Sequence, residues 1–213
     1  MFGKNADFTV IPNGIELDKF RFDSVIRQEA RKELGIAEDT FLIGHVGRFM
    51  PQKNQAFLVD VLADVLPGKP NAMIAFVGDG PDMPAVQQHA EELGIVDHIL
   101  FLGQRSDVNR LYQAFDVFCL PSLYEGLGMV AVEAQVANLP CLLSDAVPLE
   151  ADVTGKSIFL PIAGAKLWSE ALSHSESSSR SRMMDDIAGD YDIQKCAKQL
   201  MQRYESLVGI EKE

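Results

Sequence analysis

Residues 117–137 read VFCLPSLYEGLGMVAVEAQVA, and the interpretation of the whole chain starts from this stretch. The apolar run at 117–120 predicts a parallel strand that is buried on both faces. Residues 129–137 predict a helix, and Gly126 and Gly128 lie at the turn between strand and helix. Glycines there allow unusual backbone dihedrals and let a ligand approach the chain closely. The free N–H groups of a helix N-terminus suit a phosphate.

Two glutamates belong to the same stretch. Glu125 precedes the turn and Glu133 lies inside the predicted helix, with seven residues between them. Both can face the crevice at the carboxyl end of a parallel sheet, where ligands bind in open α/β folds. A carboxylate accepts hydrogen bonds from vicinal hydroxyls, which sugars and riboses both carry. Taken alone, the stretch fits an ordinary turn with two solvated glutamates equally well.

Strands and helices alternate along most of the chain. The first long helical pattern begins at Ser24, which we expect to be its N-cap. After Leu160 the pattern weakens, and residues 173–179 predict a loop or a frayed helix start before a closing amphipathic helix. The predicted strands are apolar runs at 8–11, 41–46, 73–77, 99–102, 117–120, 140–143 and 157–160. We therefore predict a doubly wound parallel α/β sheet that is Rossmann-like.

Composition excludes several classes of protein. The 213-residue chain carries a formal charge of -12, which argues against general nucleic-acid binding and against an anionic membrane surface. Its three cysteines form no C-x-x-C motif; Cys119 and Cys141, in apolar strands, are most simply buried reduced thiols, and the odd count fits a reducing cytosol. The four histidines show no metal-ligand spacing, and no apolar run reaches the length of a membrane span.

The few basic residues include two that follow a predicted strand. Arg48 and Lys53 lie in the loop after strand 41–46, which opens at the same sheet edge as Glu125. Together they can neutralise a diphosphate, although a solvated Arg and Lys on a loop is the simpler interpretation of the pair alone. We expect His45, inside the strand, to be a core histidine with its hydrogen bonds satisfied.

Several short motifs occur in one order and carry a family resemblance. They are residues 10–15 with Phe20, residues 44–48 with Lys53, and residues 77–81, 101–103, 116–118 and 121–128. Together they resemble the carboxyl-terminal, nucleotide-sugar-binding half of a retaining GT-B glycosyltransferase of family 4 (glycosyl transferases group 1), of the bacterial capsular and exopolysaccharide type. Leu127 stands where Phe is common in that family. Asn138 stands where Gly is common, and we expect it to take the left-handed conformation that ends helix 129–137.

The resemblance implies a role for each candidate residue. Arg48 and Lys53 would bind the donor diphosphate, and Glu125 would contact hydroxyls of the donor sugar; these three form the expected catalytic set. Glu133 would bind the nucleotide ribose. The remaining donor-binding positions are Gly47, Gly126 and the backbone N–H groups around Leu127, Gly128 and Met129 for phosphate, with Gly78, Gln104 and Arg105 near the base. No metal or other cofactor is expected, and uridine diphosphate is the carrier that the resemblance suggests.

The resemblance also implies a second domain that carries the acceptor site. Residues 1–20 would then be the interdomain linker and first strand, 21–190 the nucleotide-sugar-binding domain, and 191–213 a carboxyl-terminal helix and tail. We expect the isolated chain to bind a nucleotide sugar without transferring it. We also expect the apolar face of the last helix to be uncovered, which favours self-association or a mobile helix. The full enzyme would be cytoplasmic, at the inner face of the membrane, with a sugar or lipid-linked acceptor.

Two other functions stay open at this point. One is a stand-alone nucleotide-sugar-binding or regulatory module with no transferase activity. The other is a different GT-B enzyme, such as a sugar-nucleotide epimerase or a phosphorylase. The spacing of Glu125 and Glu133 argues against the epimerase.

Overall fold

The computed structural model describes residues 10–175 and 189–208, and these residues form the predicted α/β fold. Within them, one parallel sheet of six strands has the order β3-β2-β1-β4-β5-β6. Its strands are β1 (Phe41–Val46), β2 (Ala72–Val77), β3 (Ile99–Phe101), β4 (Val117–Leu120), β5 (Cys141–Ser144) and β6 (Ile158–Leu160). The predicted doubly wound, Rossmann-like sheet is confirmed.

Helices cover both faces of this sheet. They are α1 (Leu17–Phe20), α2 (Ser24–Glu33), α3 (Gln55–Val65), α4 (Met83–Glu92), α5 (Val108–Ala114), α6 (Met129–Val136), α7 (Ala165–His174) and α8 (Ile193–Val208). Among the described residues, no helix combines the length and the apolar character needed to cross a membrane.

The core consists of two apolar layers, one on each face of the sheet. Along β1, Leu42 and Val46 join the layer that contains buried residues of α2, α5 and α6. Phe41 and Ile43 join the opposite layer, with buried residues of α3, α4 and α7. Successive side chains of a strand point to opposite faces, so a strand covered on both sides must be apolar throughout. The solid apolar runs of the sequence follow from this burial.

The sheet order reverses between β1 and β4, which are neighbours although β2 and β3 lie between them in sequence. The connection after β1 runs to one side of the sheet and the connection after β4 to the other. A crevice forms between two such connections at the carboxyl edge of the strands, and ligands of open α/β proteins bind there. The loops after β1 and β4 carry Arg48, Lys53 and Glu125.

Two local predictions are wrong. Helix α2 is capped by Asp23, whose side chain accepts hydrogen bonds from the backbone N–H groups of Val25 at 2.8 Å and Ile26 at 3.2 Å. Ser24 is already the first helical residue, because the stronger carboxylate acceptor precedes it. Residues 10 and 11 are not in a strand; the other residues of that predicted strand, 8 and 9, lie outside the described part of the chain.

The sequence pattern does not predict helix α7, and it predicts a loop or a frayed helix start at 173–179, where the helix in fact ends. Ser173 and His174 end the helix, and the hydroxyls of Ser173 and Ser175 donate to carbonyls one turn earlier, at 2.7 and 2.9 Å. The helix is held mainly by Trp168 and Leu172, both fully buried against the layer of α3. Two large apolar anchors in ten residues make a weak periodic signal. Residues 176–179 lie outside the described part, and the division at 1–20, 21–190 and 191–213 stays a prediction.

Candidate functional site

A cavity of about 510 Å³ opens at the carboxyl edge of β1, β2 and β3. Backbone hydrogen bonds join the loops that form it: the Gly47 N–H donates to the Val77 carbonyl at 2.9 Å, and the Gly78 N–H donates to the Gly103 carbonyl at 2.8 Å. The cavity is lined by Val46, Gly47, Arg48, Val77, Gly78, Asp79, Gly80, Gln104, Arg105 and Val108. The structure therefore brings together five of the residues predicted for donor binding.

Glycine is required at position 78 for two reasons. Its φ of 137° is rarely adopted by residues with a side chain. A Cβ at this position would also lie 2.1 Å from the Gly47 carbonyl oxygen, so any side chain would push the β1 and β2 loops apart. The close approach of these loops shapes the floor of the cavity.

Lys53 and Glu125 form an ion pair at the point where the sheet order reverses. The Lys53 Nζ lies 2.5 Å from the Glu125 Oε1, and the two side chains are only 15% and 7% exposed. Lys53 follows β1 and Glu125 follows β4, so the pair joins segments that are 72 residues apart. The hydroxyl of Ser122 donates to the same carboxylate oxygen at 2.6 Å.

Further hydrogen bonds hold the two loops against each other. The Leu123 N–H donates to the Gln52 carbonyl at 2.8 Å, and the Gln52 side-chain amide donates to the Tyr124 carbonyl at 2.8 Å. The Asn54 side-chain amide donates to the Pro121 carbonyl at 3.3 Å. These contacts position the ion pair through backbone groups as well as through its own charges.

The turn after Glu125 leads directly into α6. Gly128 has a φ of 79° and precedes the first helical residue, Met129, as the N-cap. Because glycine has no side chain, Gly128 cannot cap the helix with one. The first-turn backbone N–H groups are therefore not occupied by an N-cap side chain and can bind an acceptor. Gly126 does not share the positive φ, so of the two turn glycines Gly128 is the one in the left-handed region. Leu127 lies half-buried between them and packs on the apolar layer.

The two arginines of the cavity have different environments. Arg48 is exposed, and its carbonyl accepts a hydrogen bond from the Gln55 side chain at 3.0 Å. Arg105 donates two hydrogen bonds to the Asp107 carboxylate, at 2.7 and 2.6 Å. Asp107 therefore neutralises part of the charge of Arg105, whereas within residues 10–175 and 189–208 no carboxylate forms an ion pair with Arg48.

Glu133 lies in a different cavity from Arg48. A neighbouring cavity of about 400 Å³ is lined by Gly14, Ile15, Glu16, Lys19, Phe20, Ser106, Val108, Asn109, Glu133 and Ile193. Val108 lines both cavities, so they adjoin. The Tyr112 hydroxyl donates to the Glu133 Oε2 at 2.9 Å. Burial raises the pKa of Glu133, and the hydrogen bond from Tyr112 lowers it in part. Burial and the nearby Glu133 raise the pKa of Tyr112, so its phenol stays protonated and can donate.

His45 lies in β1 and is fully buried, near enough to Lys53 to feel its charge. Its Nδ1 contacts the Cys119 carbonyl at 2.9 Å, which requires Nδ1 to carry the hydrogen. Its Nε2 is buried and has no hydrogen-bond partner among the described residues, so the expectation of a fully satisfied core histidine is half right. Burial lowers the pKa of His45 to about 4, and the ring is neutral at physiological pH.

The sequence interpretation missed Ser122, Ser144 and Tyr112 as parts of the site. Ser122 belongs to the quoted stretch, and its position three residues before Glu125 is the signal that could have found it. The Ser144 hydroxyl donates to the Ser122 carbonyl at 2.5 Å, and Tyr112 meets Glu133 across 21 residues. Those two contacts depend on which strands and helices become neighbours in the fold, so no local sequence pattern predicts them.

Comparison with known proteins assigns the chain to a family. The family model described as Glycosyl transferases group 1 matches residues 26–160, which is more than half of the 213-residue chain. The chain belongs to the glycosyl transferases group 1 family. This group 1 glycosyltransferase chain is 36% identical, over 80% of its length, to EpsF of Bacillus subtilis (strain 168), a glycosyltransferase by its name. It is 34% identical, over 64% of its length, to the UDP-Gal:alpha-D-GlcNAc-diphosphoundecaprenol alpha-1,3-galactosyltransferase of Escherichia coli.

Solved structures place the group 1 chain in the GT-B fold. Anabaena Alr3699/HepE in complex with UDP and glucose matches it with a TM-score of 0.80 at 22% identity, covering 93% of this chain and 57% of HepE. The chain spans 45% of the length of EpsF and 36% of the length of the galactosyltransferase. It therefore corresponds to less than half of either relative. The resemblance to group 1, GT-B glycosyltransferases is confirmed, whereas family 4, the retaining mechanism and the capsular type stay predictions.

Proposed function

We propose that this chain is the donor-binding part of a glycosyltransferase and binds a nucleoside-diphosphate sugar. One observation carries the proposal: Lys53 and Glu125 meet at 2.5 Å at the reversal point of the sheet, and the Lys53 side chain lies close to Gly47, which lines the same cavity as Arg48. A cation for phosphate and a carboxylate for hydroxyls thus stand side by side. A nucleotide sugar carries both groups next to each other, at the bond between its distal phosphate and its sugar.

Each candidate residue has a part in this proposal. Arg48 and Lys53 bind the diphosphate, and the N–H groups at the start of α6, around Leu127, Gly128 and Met129, hold the distal phosphate. Glu125 accepts hydrogen bonds from the sugar. The base enters the cavity of Gly78, Gln104 and Arg105, which is large enough at about 510 Å³. Glu133 binds the ribose from the adjoining cavity.

The same groups supply the chemistry. Departure of the nucleoside diphosphate concentrates negative charge on the leaving phosphate. Arg48, Lys53 and the N-terminus of α6 stabilise that charge as it develops, so they lower the barrier electrostatically. In this proposal they replace a metal ion, and the reaction needs no cofactor. We infer a retaining hexosyltransferase of family 4 from the sequence resemblance.

Uridine diphosphate is the carrier we propose. HepE was crystallised with UDP, and the E. coli relative is named for a UDP-galactose donor. That relative acts on a diphosphoundecaprenol-linked acceptor. A polysaccharide or glycoconjugate pathway at the cytoplasmic face of a membrane is consistent with such an acceptor, which we propose lies on a second domain. The chain alone then binds the donor without transferring the sugar.

Calorimetric titration of the 213-residue chain with UDP, GDP, ADP and their glucose or mannose derivatives tests the proposal. Arg48→Ala and Lys53→Ala should each weaken nucleoside-diphosphate binding about tenfold or more, since each removes a charge-assisted hydrogen bond. Lys32→Ala is the matched control, because Lys32 is an exposed lysine of α2 that lines neither cavity. Lys53→Ala should also lower stability, because it leaves the buried Glu125 unpaired.

Two outcomes would contradict the proposal. Equal affinity of wild type and the Arg48→Ala/Lys53→Ala double variant would remove the diphosphate assignment. Acceptor-dependent release of UDP from UDP-glucose by the pure chain would show that it transfers sugar without a second domain.

A further inference from the structure

One oxygen of Glu125 receives two donors. The Oε1 atom lies 2.5 Å from the Lys53 Nζ and 2.6 Å from the Ser122 Oγ. Among the described residues, no hydrogen bond reaches the second oxygen, Oε2. The carboxylate therefore has one oxygen held by the protein and one free to accept from a ligand.

Ser122 is itself held firmly. It is fully buried, and its carbonyl accepts a hydrogen bond at 2.5 Å from the hydroxyl of Ser144, which is also fully buried at the end of β5. Ser122 is thus anchored to β5, whereas Lys53 reaches Glu125 with a long, flexible side chain. Of the two groups that hold Oε1, only Lys53 has the length and the charge to move to a phosphate.

The proposed function, on which this inference rests, gives Lys53 two anionic partners that compete for it, the Glu125 carboxylate and the donor diphosphate. Because the ammonium then shares its charge and its three N–H donors between them, binding of the diphosphate weakens its contact with Glu125. The carboxylate, whose side chain is only 7% exposed, would then lose its cation at the moment when it has to meet the sugar. Loss of this cation from a buried carboxylate is costly, and without a further donor the carboxylate would also lose its orientation.

We propose that Ser122 is the positioning residue that keeps Glu125 aimed at the donor sugar after Lys53 has moved to the diphosphate. The Ser122 hydroxyl stays on Oε1, so Oε2 keeps its direction toward the ligand. The sugar hydroxyls then supply the donors that Lys53 withdrew. Ser122 binds no ligand atom itself and acts through Glu125.

A preference for the complete donor follows from this arrangement. Free nucleoside diphosphate draws Lys53 from Glu125 and supplies no hydrogen-bond donor to the carboxylate. The Lys53–Glu125 ion pair therefore opposes its binding. A nucleotide sugar takes Lys53 and replaces it with hydroxyl donors. Glu125 and Ser122 together therefore favour the sugar-bearing nucleotide over the product nucleotide.

The test compares the affinities of UDP and UDP-glucose, measured by calorimetry on the full chain. Ser122→Ala should lower the preference for UDP-glucose over UDP by about tenfold, the effect of losing a hydrogen bond to a charged group. Glu125→Gln should bind UDP several times more tightly than wild type, because Lys53 is no longer neutralised, and should lose the preference. Ser169→Ala, which removes a buried hydroxyl of α7 that donates to the Lys166 carbonyl, should keep the preference within about twofold.

Ser122→Cys provides a second variant if Ser122→Ala fails to fold, since it keeps a side-chain donor at this position but a weaker one. It should show a smaller fall of the preference. An equal loss of UDP and UDP-glucose affinity in the Ser122 variants, or the same fall in Ser169→Ala, would overturn the inference while leaving the proposed function intact. If the affinity for UDP is unchanged in Arg48→Ala and Lys53→Ala, the proposed function is overturned, and this inference with it.

Discussion

At the residue scale, the buried ring of His45 makes the free energy of unfolding depend on pH in the acidic range. Its pKa is about 4 in the folded protein against 6.5 for an ordinary histidine. Below pH 6.5 the unfolded chain binds a proton that the folded chain excludes, so stability falls as the pH drops towards 4 and this group adds no further loss below it. The full difference is about 3 kcal/mol.

His45→Asn should remove that loss, because an amide can donate to the Cys119 carbonyl from the position of Nδ1 without titrating. We expect urea unfolding of the variant between pH 7 and pH 4 to show a shallower decline than wild type. His98→Asn is the control, since the His98 Nδ1 also contacts a carbonyl, that of Ala72, but the ring is only half-buried. Parallel curves for wild type and His45→Asn would contradict the prediction.

We expect the charge of Glu133 to oppose folding and to favour ligand binding. Burial raises its pKa, so above the unfolded pKa of about 4.3 its charge opposes folding, and this cost grows as the pH rises through the folded value. Glu133→Gln should therefore unfold at higher urea than wild type at pH 7, with the difference vanishing below pH 4. It should also weaken UDP and UDP-glucose alike by about tenfold, because the proposed contact is the ribose. Glu91→Gln on α4 serves as the exposed control, and a less stable Glu133→Gln protein would refute the first half.

At the element scale, the end of α6 tests the local geometry. Asn138 has a φ of 53°, which confirms the predicted left-handed residue after the helix. The Leu139 N–H donates to the Ala134 carbonyl at 3.0 Å and the Asn138 N–H to the Gln135 carbonyl at 2.8 Å, the pair of bonds that defines a Schellman motif. Asn138→Gly should stay within about 0.5 kcal/mol of wild type. Asn138→Val should cost about 1 kcal/mol or more in urea unfolding, and a Val variant of wild-type stability would contradict this.

At the scale of the whole molecule, α8 leaves an apolar stripe uncovered. Met201, Tyr204 and Leu207 are 61%, 59% and 66% exposed, and Leu200 adds to the same stripe. Contiguous apolar surface of this kind favours association. We expect the chain to self-associate in sedimentation velocity as its concentration rises, and Leu200→Gln/Leu207→Gln to remain monomeric. Lys198→Gln lies on the same helix outside the stripe and should behave like wild type; a monomeric wild type at all concentrations would refute the prediction.

The sequence by itself determined the fold class and most of the candidate residues. Burial on both faces makes parallel strands solid apolar runs, and the positive φ of Gly78 and Gly128 favours glycine at those turns, so both features leave a pattern within a few neighbouring residues. Only the tertiary structure decided that Lys53 pairs with Glu125, that Ser122 shares its oxygen, and that Glu133 lies in a second cavity with Tyr112. The Lys53 and Tyr112 contacts cross 72 and 21 residues and depend on which strands and helices become neighbours. Strand order results from packing of the whole chain, and no local pattern of residues encodes it.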